Sequence, residues 1–124
     1  MTLPLVVLVD DEPSIRETVS FILEMEGFEV ASAADGEAGL DLVRRLRPAV
    51  VLLDGMMPRR DGFDVCRHIR SDPALAGVTV IMLTALGQQT DRERARAAGA
   101  HHFFTKPFDE EELITLLRRL TGLA

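Results

Sequence analysis

Several side chains able to do chemistry stand where apolar runs of this chain stop. Asp10 and Asp11 follow the run 5–9, Asp54 follows 50–53, Thr84 follows 78–83 and Lys106 follows 102–105. If those runs are neighbouring parallel strands, all five residues arrive at one edge of a sheet. Three carboxylates held within a few ångströms repel one another by roughly a few kcal/mol per pair, even at an effective dielectric near ~20, so such a cluster calls for a cation. Oxygen donors of this kind suit a hard ion such as Mg²⁺, which keeps several waters and takes phosphate oxygens as further ligands. A metal, a lysine, a hydroxyl and a carboxylate nucleophile together form the electrostatic clamp that phosphoryl transfer requires. Asp54 is the candidate nucleophile, although an aspartate before Gly55 also fits an ordinary turn when the stretch is read alone.

Lys106 stands out for a second reason. Of 14 basic residues it is the only lysine, the rest being arginine. Lysine offers a compact, rotatable ammonium where arginine offers a planar fork, so a lone lysine in an arginine-rich chain marks a site that wants a point charge.

The elements that must position these groups can be read from periodicity. A strand over 5–9 hands over at Pro13 to a helix over about 14–26, with Ile15, Val19, Ile22 and Leu23 at helical spacing and Gly27 ending it. A short strand at 28–31 follows, then a helix carrying Ala38, Leu42, Val43 and Leu46 and closed by Pro48. The run 50–53 reads as a strand buried on both faces. Val65, Cys66 and Ile69 give a third helix its buried stripe, and Cys66 is expected to pack as a small hydrophobe. A strand at 78–83, a charge-rich helix at 88–98 and a strand at 102–105 come next. Asp109 with Glu112 three residues on forms a capping box for a last helix carrying Leu113, Leu117 and Leu120.

Strand and helix alternate five times, which specifies an α/β doubly wound parallel sheet with five helices. The flavodoxin-like strand order 2-1-3-4-5 is expected, with its switch point between strands one and three, where ligands of such sheets bind. The length of 124 residues with 47% hydrophobic content fits one domain over 1–124. A net charge of -6 argues against direct nucleic-acid binding by this chain. One cysteine, no signal-like amino terminus and no long apolar run make a cytoplasmic protein without membrane contact the expectation.

Four stretches in this order carry a resemblance: Val9-Asp10-Asp11-Glu12-Pro13; Leu53-Asp54-Gly55-Met56-Met57-Pro58 with Asp61-Gly62; Leu83-Thr84-Ala85; and Thr105-Lys106-Pro107-Phe108. Together they resemble the signature set of response-regulator receiver domains of two-component signalling. The resemblance implies that Asp54 is the phosphoacceptor, taking a phosphoryl group from a phosphohistidine on a sensor histidine kinase or phosphotransfer protein. It implies Mg²⁺ held by Asp11, Asp54 and the backbone carbonyl of Met56, with Asp10 acting through a water. Lys106 and Thr84 would contact phosphoryl oxygens, and the Lys106-Pro107 bond would be cis, an isomer that proline makes accessible. Phe103 matches the family's switch aromatic. On phosphorylation, Thr84 and Phe103 would move inward and remodel the face made by the fourth helix, fifth strand and fifth helix, to control an output domain or partner. Such a domain promotes its own phosphorylation and dephosphorylation but is not otherwise an enzyme.

The chain most resembles receivers of winged-helix transcription regulators, through Pro107-Phe108-Asp109, Arg92 and Glu112. It departs from them at His101 and His102, where two acids are usual, and at Leu116, which replaces an arginine. A phosphorylation-dependent homodimer through that face is therefore only partly supported. The two histidines are expected to be solvated on opposite faces, with a pH-sensitive or metal-binding surface pair as the other reading. Arg59 and Arg60 fit a solvated loop, with kinase docking or phosphate steering as the other reading. The alternative function is a Mg²⁺-dependent phosphatase of the haloacid-dehalogenase type, but its second acid, two residues after the nucleophile, is here Met56. A nucleotide-binding module without catalysis lacks any G-x-G-x-x-G or P-loop.

Overall fold

The computed structural model describes residues 3–58, 60–85 and 87–123. Among them the elements run β1 (Leu5–Val9), α1 (Pro13–Met25), β2 (Glu29–Ala33), α2 (Gly36–Leu46), β3 (Val50–Asp54), α3 (Gly62–Ser71), β4 (Thr79–Thr84), α4 (Gln89–Ala97), β5 (His102–Thr105) and α5 (Glu110–Thr121). A 3-10 turn at Pro73–Leu75, not anticipated from the sequence, precedes β4. Asp72 caps it through its side chain. All strand pairs are parallel and the order is β2-β1-β3-β4-β5, as expected.

The apolar runs are explained by burial on both faces of the sheet. Val7, Val9, Val51, Leu53, Val80 and Met82 face a core closed by α2, α3 and α4. Their alternates Val6, Leu8, Val50, Leu52, Ile81 and Leu83 face a second core closed by α1 and α5. Successive side chains on a strand point to opposite faces, so a strand covered on both sides must be apolar at every position.

Three details differ from the sequence reading. The second strand is Glu29–Ala33, not 28–31, because it pairs residue for residue with the whole of β1. Phe28 is buried just ahead of it, after Gly27 at φ +96, and Ser32 and Ala33 are carried by the ladder. In α5 the buried residues are Leu113, Ile114, Leu116 and Leu117, while Leu120 in the last turn is 37% exposed. Asp109 does cap α5, its Oδ1 accepting from the Glu111 and Glu112 amides at 2.9 and 3.3 Å. A contact from the third helical residue back to the cap forms at α4, where Asp91 Oδ2 accepts the Gln88 N–H at 3.2 Å.

Cys66 is fully buried, with Sγ 3.4 Å from the Ala98 carbonyl oxygen. Burial pushes its thiol up to about 11, with Arg70 and Arg67 opposing the shift. The thiolate is the reactive form, so ionisation alone slows alkylation about a hundredfold. Iodoacetamide at pH 8 should leave the folded protein unmodified and label Cys66 rapidly in urea, as read by intact mass. Rapid labelling without denaturant would contradict this burial.

Candidate phosphoryl-transfer site

The register of the sheet decides which strand-end residues meet. Val9 of β1 is level with Leu53 of β3, so the next residues, Asp10 and Asp54, emerge side by side. Asp54 is in turn level with Leu83, one residue before Thr84, and Thr84 is level with Thr105, one residue before Lys106. The Lys106 N–H donates to the Thr84 carbonyl at 2.8 Å. The crevice therefore lies where the order turns between β1 and β3, the place at which ligands bind in sheets of this kind.

Asp10, Asp11 and Asp54 each bring a carboxylate oxygen within 4.8 Å of the others. Asp10 and Asp54 are buried, and Asp11 is exposed at the mouth. Lys106 Nζ lies 2.6 Å from Asp10 Oδ2, 3.4 Å from Asp54 Oδ2 and 3.7 Å from Glu12 Oε1. Local turns orient the acids: Asp10 Oδ1 accepts the Glu12 N–H at 2.9 Å, and Asp54 Oδ1 accepts the Met56 N–H at 3.1 Å. One ammonium faces three or four carboxylates, so the site keeps a negative excess that a divalent cation would neutralise.

Burial raises the Asp54 carboxyl above the usual carboxylate range. The Met56 amide and Lys106 oppose the shift, and the Asp10 charge adds to it. Burial alone would lower Lys106, but its contacts with Asp10 and Asp54 outweigh that and hold the ammonium above its ordinary value. Lys106 is thus locked in its charged form beside the candidate nucleophile.

Thr84 is fully buried, and its Oγ1 would lie 3.2 Å from a Cβ placed on Gly55, so it stands directly beside the Asp54 turn. The Met56 side chain is 59% exposed. The Lys106-Pro107 peptide is cis. Phe103 is half-buried on β5, and the Arg92 guanidinium lies 4.8 Å from its ring centroid. An open groove between α4, β5 and α5 is lined by Phe103, Phe108, Glu112, Leu116 and Arg119.

Other contacts were not legible from the sequence. Arg16, assigned only to the polar side of its helix, reaches back so that Nη1 donates to the Asp10 carbonyl at 2.6 Å. Arg60 is neither free nor simply solvated. Its guanidinium binds Asp64 at 2.6 Å and Glu37 at 3.1 Å, and its Nη2 sits 3.0 Å from His68 Nε2, tying the loop after β3 to α2 and α3. The same contact holds the Asp64 carboxyl below the usual range. Arg59 lies outside the described residues. His101 also does more than face solvent: its Nδ1 accepts the Val80 N–H at 3.0 Å. That nitrogen must be unprotonated to accept, consistent with a histidine lowered by partial burial, then by Arg70 and His102.

Comparison with known proteins agrees with this geometry. The family described as the response regulator receiver domain matches residues 6–118. The DNA-binding dual master transcriptional regulator RpaA of Synechocystis sp. is 43% identical over 118 residues, covering 95% of this chain and 49% of that protein. The DNA-binding response regulator MtrA of Mycolicibacterium smegmatis is 42% identical over 113 residues, covering 91% and 48%. The chain thus spans about half the length of these curated relatives. Among solved structures, the chemotaxis response regulator CheY4 of Vibrio cholerae aligns with a TM-score of 0.88 at 34% identity, over 96% of this chain and 99% of that one. The receiver domain of the sensor histidine kinase PA1611 from Pseudomonas aeruginosa, with a magnesium ion coordinated in its active site cleft, aligns with a TM-score of 0.89 at 32% identity, over 98% and 99%.

The chain belongs to the response regulator receiver domains of two-component signal transduction. Its pocket of Asp10, Asp11 and Asp54 fits the phosphoacceptor site of such a domain. The haloacid-dehalogenase alternative is not supported. Among the described residues no helix is long and apolar enough to cross a membrane.

Proposed function

We propose that this chain forms one receiver domain over 1–124 and accepts a phosphoryl group on Asp54 from a phosphohistidine of a sensor histidine kinase or phosphotransfer protein. One observation carries the assignment: a buried carboxylate at the switch point of the sheet, with two further acids within 4.8 Å and an ammonium reaching it. In the step itself, an Asp54 carboxylate oxygen attacks phosphorus in line and the P–N bond to the donor imidazole breaks. The imidazole keeps the electron pair and takes up a proton, leaving an acyl phosphate on Asp54.

The three hard oxygen donors fit Mg²⁺, which Asp11, Asp54 and the Met56 carbonyl would hold directly and Asp10 through a water. Bound there, the ion supplies charge neutralisation between the carboxylates and the incoming phosphoryl oxygens. Lys106 adds a fixed positive charge toward one phosphoryl oxygen, and Thr84 donates its hydroxyl to another. These groups act in both directions, so the domain promotes its own phosphorylation and its own loss of the phosphate.

The added charge draws Thr84 toward the phosphoryl group, and Phe103 follows into the space behind it, reshaping the α4, β5 and α5 face. That face then engages an output domain or partner, or a second copy of the chain. Several relatives are named as DNA-binding regulators, which makes control of transcription in the cytoplasm the proposed readout, without nucleic-acid contact by this acidic chain.

The test is chemical. Incubated with Mg²⁺ and a small phosphodonor such as acetyl phosphate, the protein should gain one acid-stable, base-labile phosphate, and EDTA should prevent it. Many turnovers without an accumulating phosphoprotein would instead favour a phosphatase.

A further inference from the structure

We propose that Arg92 is a latch on the switch aromatic, holding the Phe103 ring at the surface of β5 until phosphorylation draws it inward. The inference rests on the switch reading of Phe103 and adds what sets its resting position. Phe103 has no hydroxyl, so no hydrogen bond of its own can hold the ring outward. The half-buried ring packs in part against the core that α4 helps to close, and over it lies the Arg92 guanidinium, whose central carbon is 4.8 Å from the ring centroid, within the range of a cation–ring contact.

The contact is not a by-product of an ion pair. Asp109, Glu111 and Glu112 line the same groove, yet among the described residues no carboxylate forms an ion pair with Arg92. The helix that carries it is weakly anchored, since Ala95 is the only buried residue of α4. What α4 has instead are two arginines over aromatic rings. Arg92 lies over Phe103 of β5, and Arg94 lies 4.1 Å from the centroid of Phe63 in α3.

Phe63 itself packs beside Gly55, next to the phosphoacceptor turn, where a Cβ on that glycine would meet the ring at 3.2 Å. The two guanidinium contacts therefore strap a helix with almost no apolar footing between the site and the switch ring. Moving Phe103 inward breaks one strap. An exposed cation–ring contact weights the outward position about two- to fivefold.

The experiment places 4-fluorophenylalanine at position 103 of the full chain and records fluorine NMR with and without Mg²⁺ and beryllofluoride. Arg92→Ala should raise the population of the beryllofluoride-type environment in the unactivated protein about two- to fivefold. Arg92→Lys should return it partway, and Glu93→Ala, an exposed neighbour on α4, should leave it at the wild-type value. Wild-type populations in Arg92→Ala, with a normal beryllofluoride response, would overturn the latch and leave the switch standing. An equal shift in Glu93→Ala would also overturn the latch, by assigning the effect to the helix as a whole. A wild-type signal that ignores beryllofluoride would overturn both.

Discussion

Asp54→Asn should abolish labelling by a small phosphodonor, with the yield of stable phosphoprotein falling by about a thousandfold or more, as expected when the only nucleophile of a covalent step is removed. The amide preserves the shape of the side chain: its oxygen can still accept the Met56 N–H, which lies 3.1 Å from Asp54 Oδ1, while its NH2 replaces the Oδ2 that accepts from Lys106 at 3.4 Å, and Lys106 keeps its 2.6 Å contact with Asp10. Loss of labelling would therefore report lost nucleophilicity and not a collapsed site. Labelling at the wild-type level would refute the assignment of Asp54.

The same substitution should raise thermal stability in metal-free buffer at neutral pH. Burial raises the Asp54 carboxyl in the folded state above its unfolded value of 3.8. For an acid shifted upward, the folded state binds more protons between the two values, so stability is lost as pH rises through that window. Above it both states are ionised and the full cost of the buried carboxylate is present. Asparagine carries no such cost. Differential scanning calorimetry should show the Asn variant melting higher at pH 7, with the gap closing toward pH 3, and Mg²⁺ should raise the wild type more than the variant. A variant that melts lower at pH 7 would show that the ammonium contact outweighs burial.

Gly62→Ala should destabilise the domain by about 3 kcal/mol, lowering the urea midpoint by about 1.5 M at a slope near ~2 kcal/mol/M. Gly62 opens α3 immediately behind β3, the strand that ends in Asp54, and its N–H donates to the Gly55 carbonyl at 3.1 Å. A Cβ there would lie 2.0 Å from the Asp54 carbonyl oxygen and 2.8 Å from its carbon. These are backbone atoms at the end of the central strand, so no side-chain rotation relieves the overlap and the strand end itself must shift. Labelling of Asp54 should fall with stability, because the displaced atoms belong to the acceptor residue. Gly77→Ala is the control: nothing lies within 4 Å of its Cβ position, and the change should stay within about 0.5 kcal/mol. Equal effects of the two substitutions would rule out close approach as the role of Gly62.

Much of the fold and site was legible because both follow from local patterns. Unbroken apolar runs marked strands covered on both faces, helical spacing marked what covers them, and polar residues at the run ends marked the crevice. Asp10, Asp11, Asp54, Thr84 and Lys106 were found from strand ends alone, since a parallel sheet brings all such ends to one edge. The roles proposed for them come from resemblance to receiver domains, which the order and spacing of four short motifs made specific.

Other features depended on partners far along the chain. The start of β2 is set by the residues of β1 it pairs with, not by its own run of apolar side chains. Arg16, Arg60 and His101 read as surface residues because their partners, the Asp10 carbonyl, Glu37 and the Val80 amide, are joined to them only once the elements pack. Gly62 stood within a family motif, but its reason, a backbone passing against the Asp54 carbonyl, is a distance between two chain segments. The contacts of α4 were invisible for the same cause: arginine at 92 and 94 reads as a solvated face until Phe103 and Phe63 are brought beneath the two guanidinium groups. Periodicity and residue type record what each segment must bury or expose, so the sequence by itself determined the strands, the helices and the acids at the crevice. Which side chains touch across the sheet is a property of register and packing, and only the tertiary structure decided it.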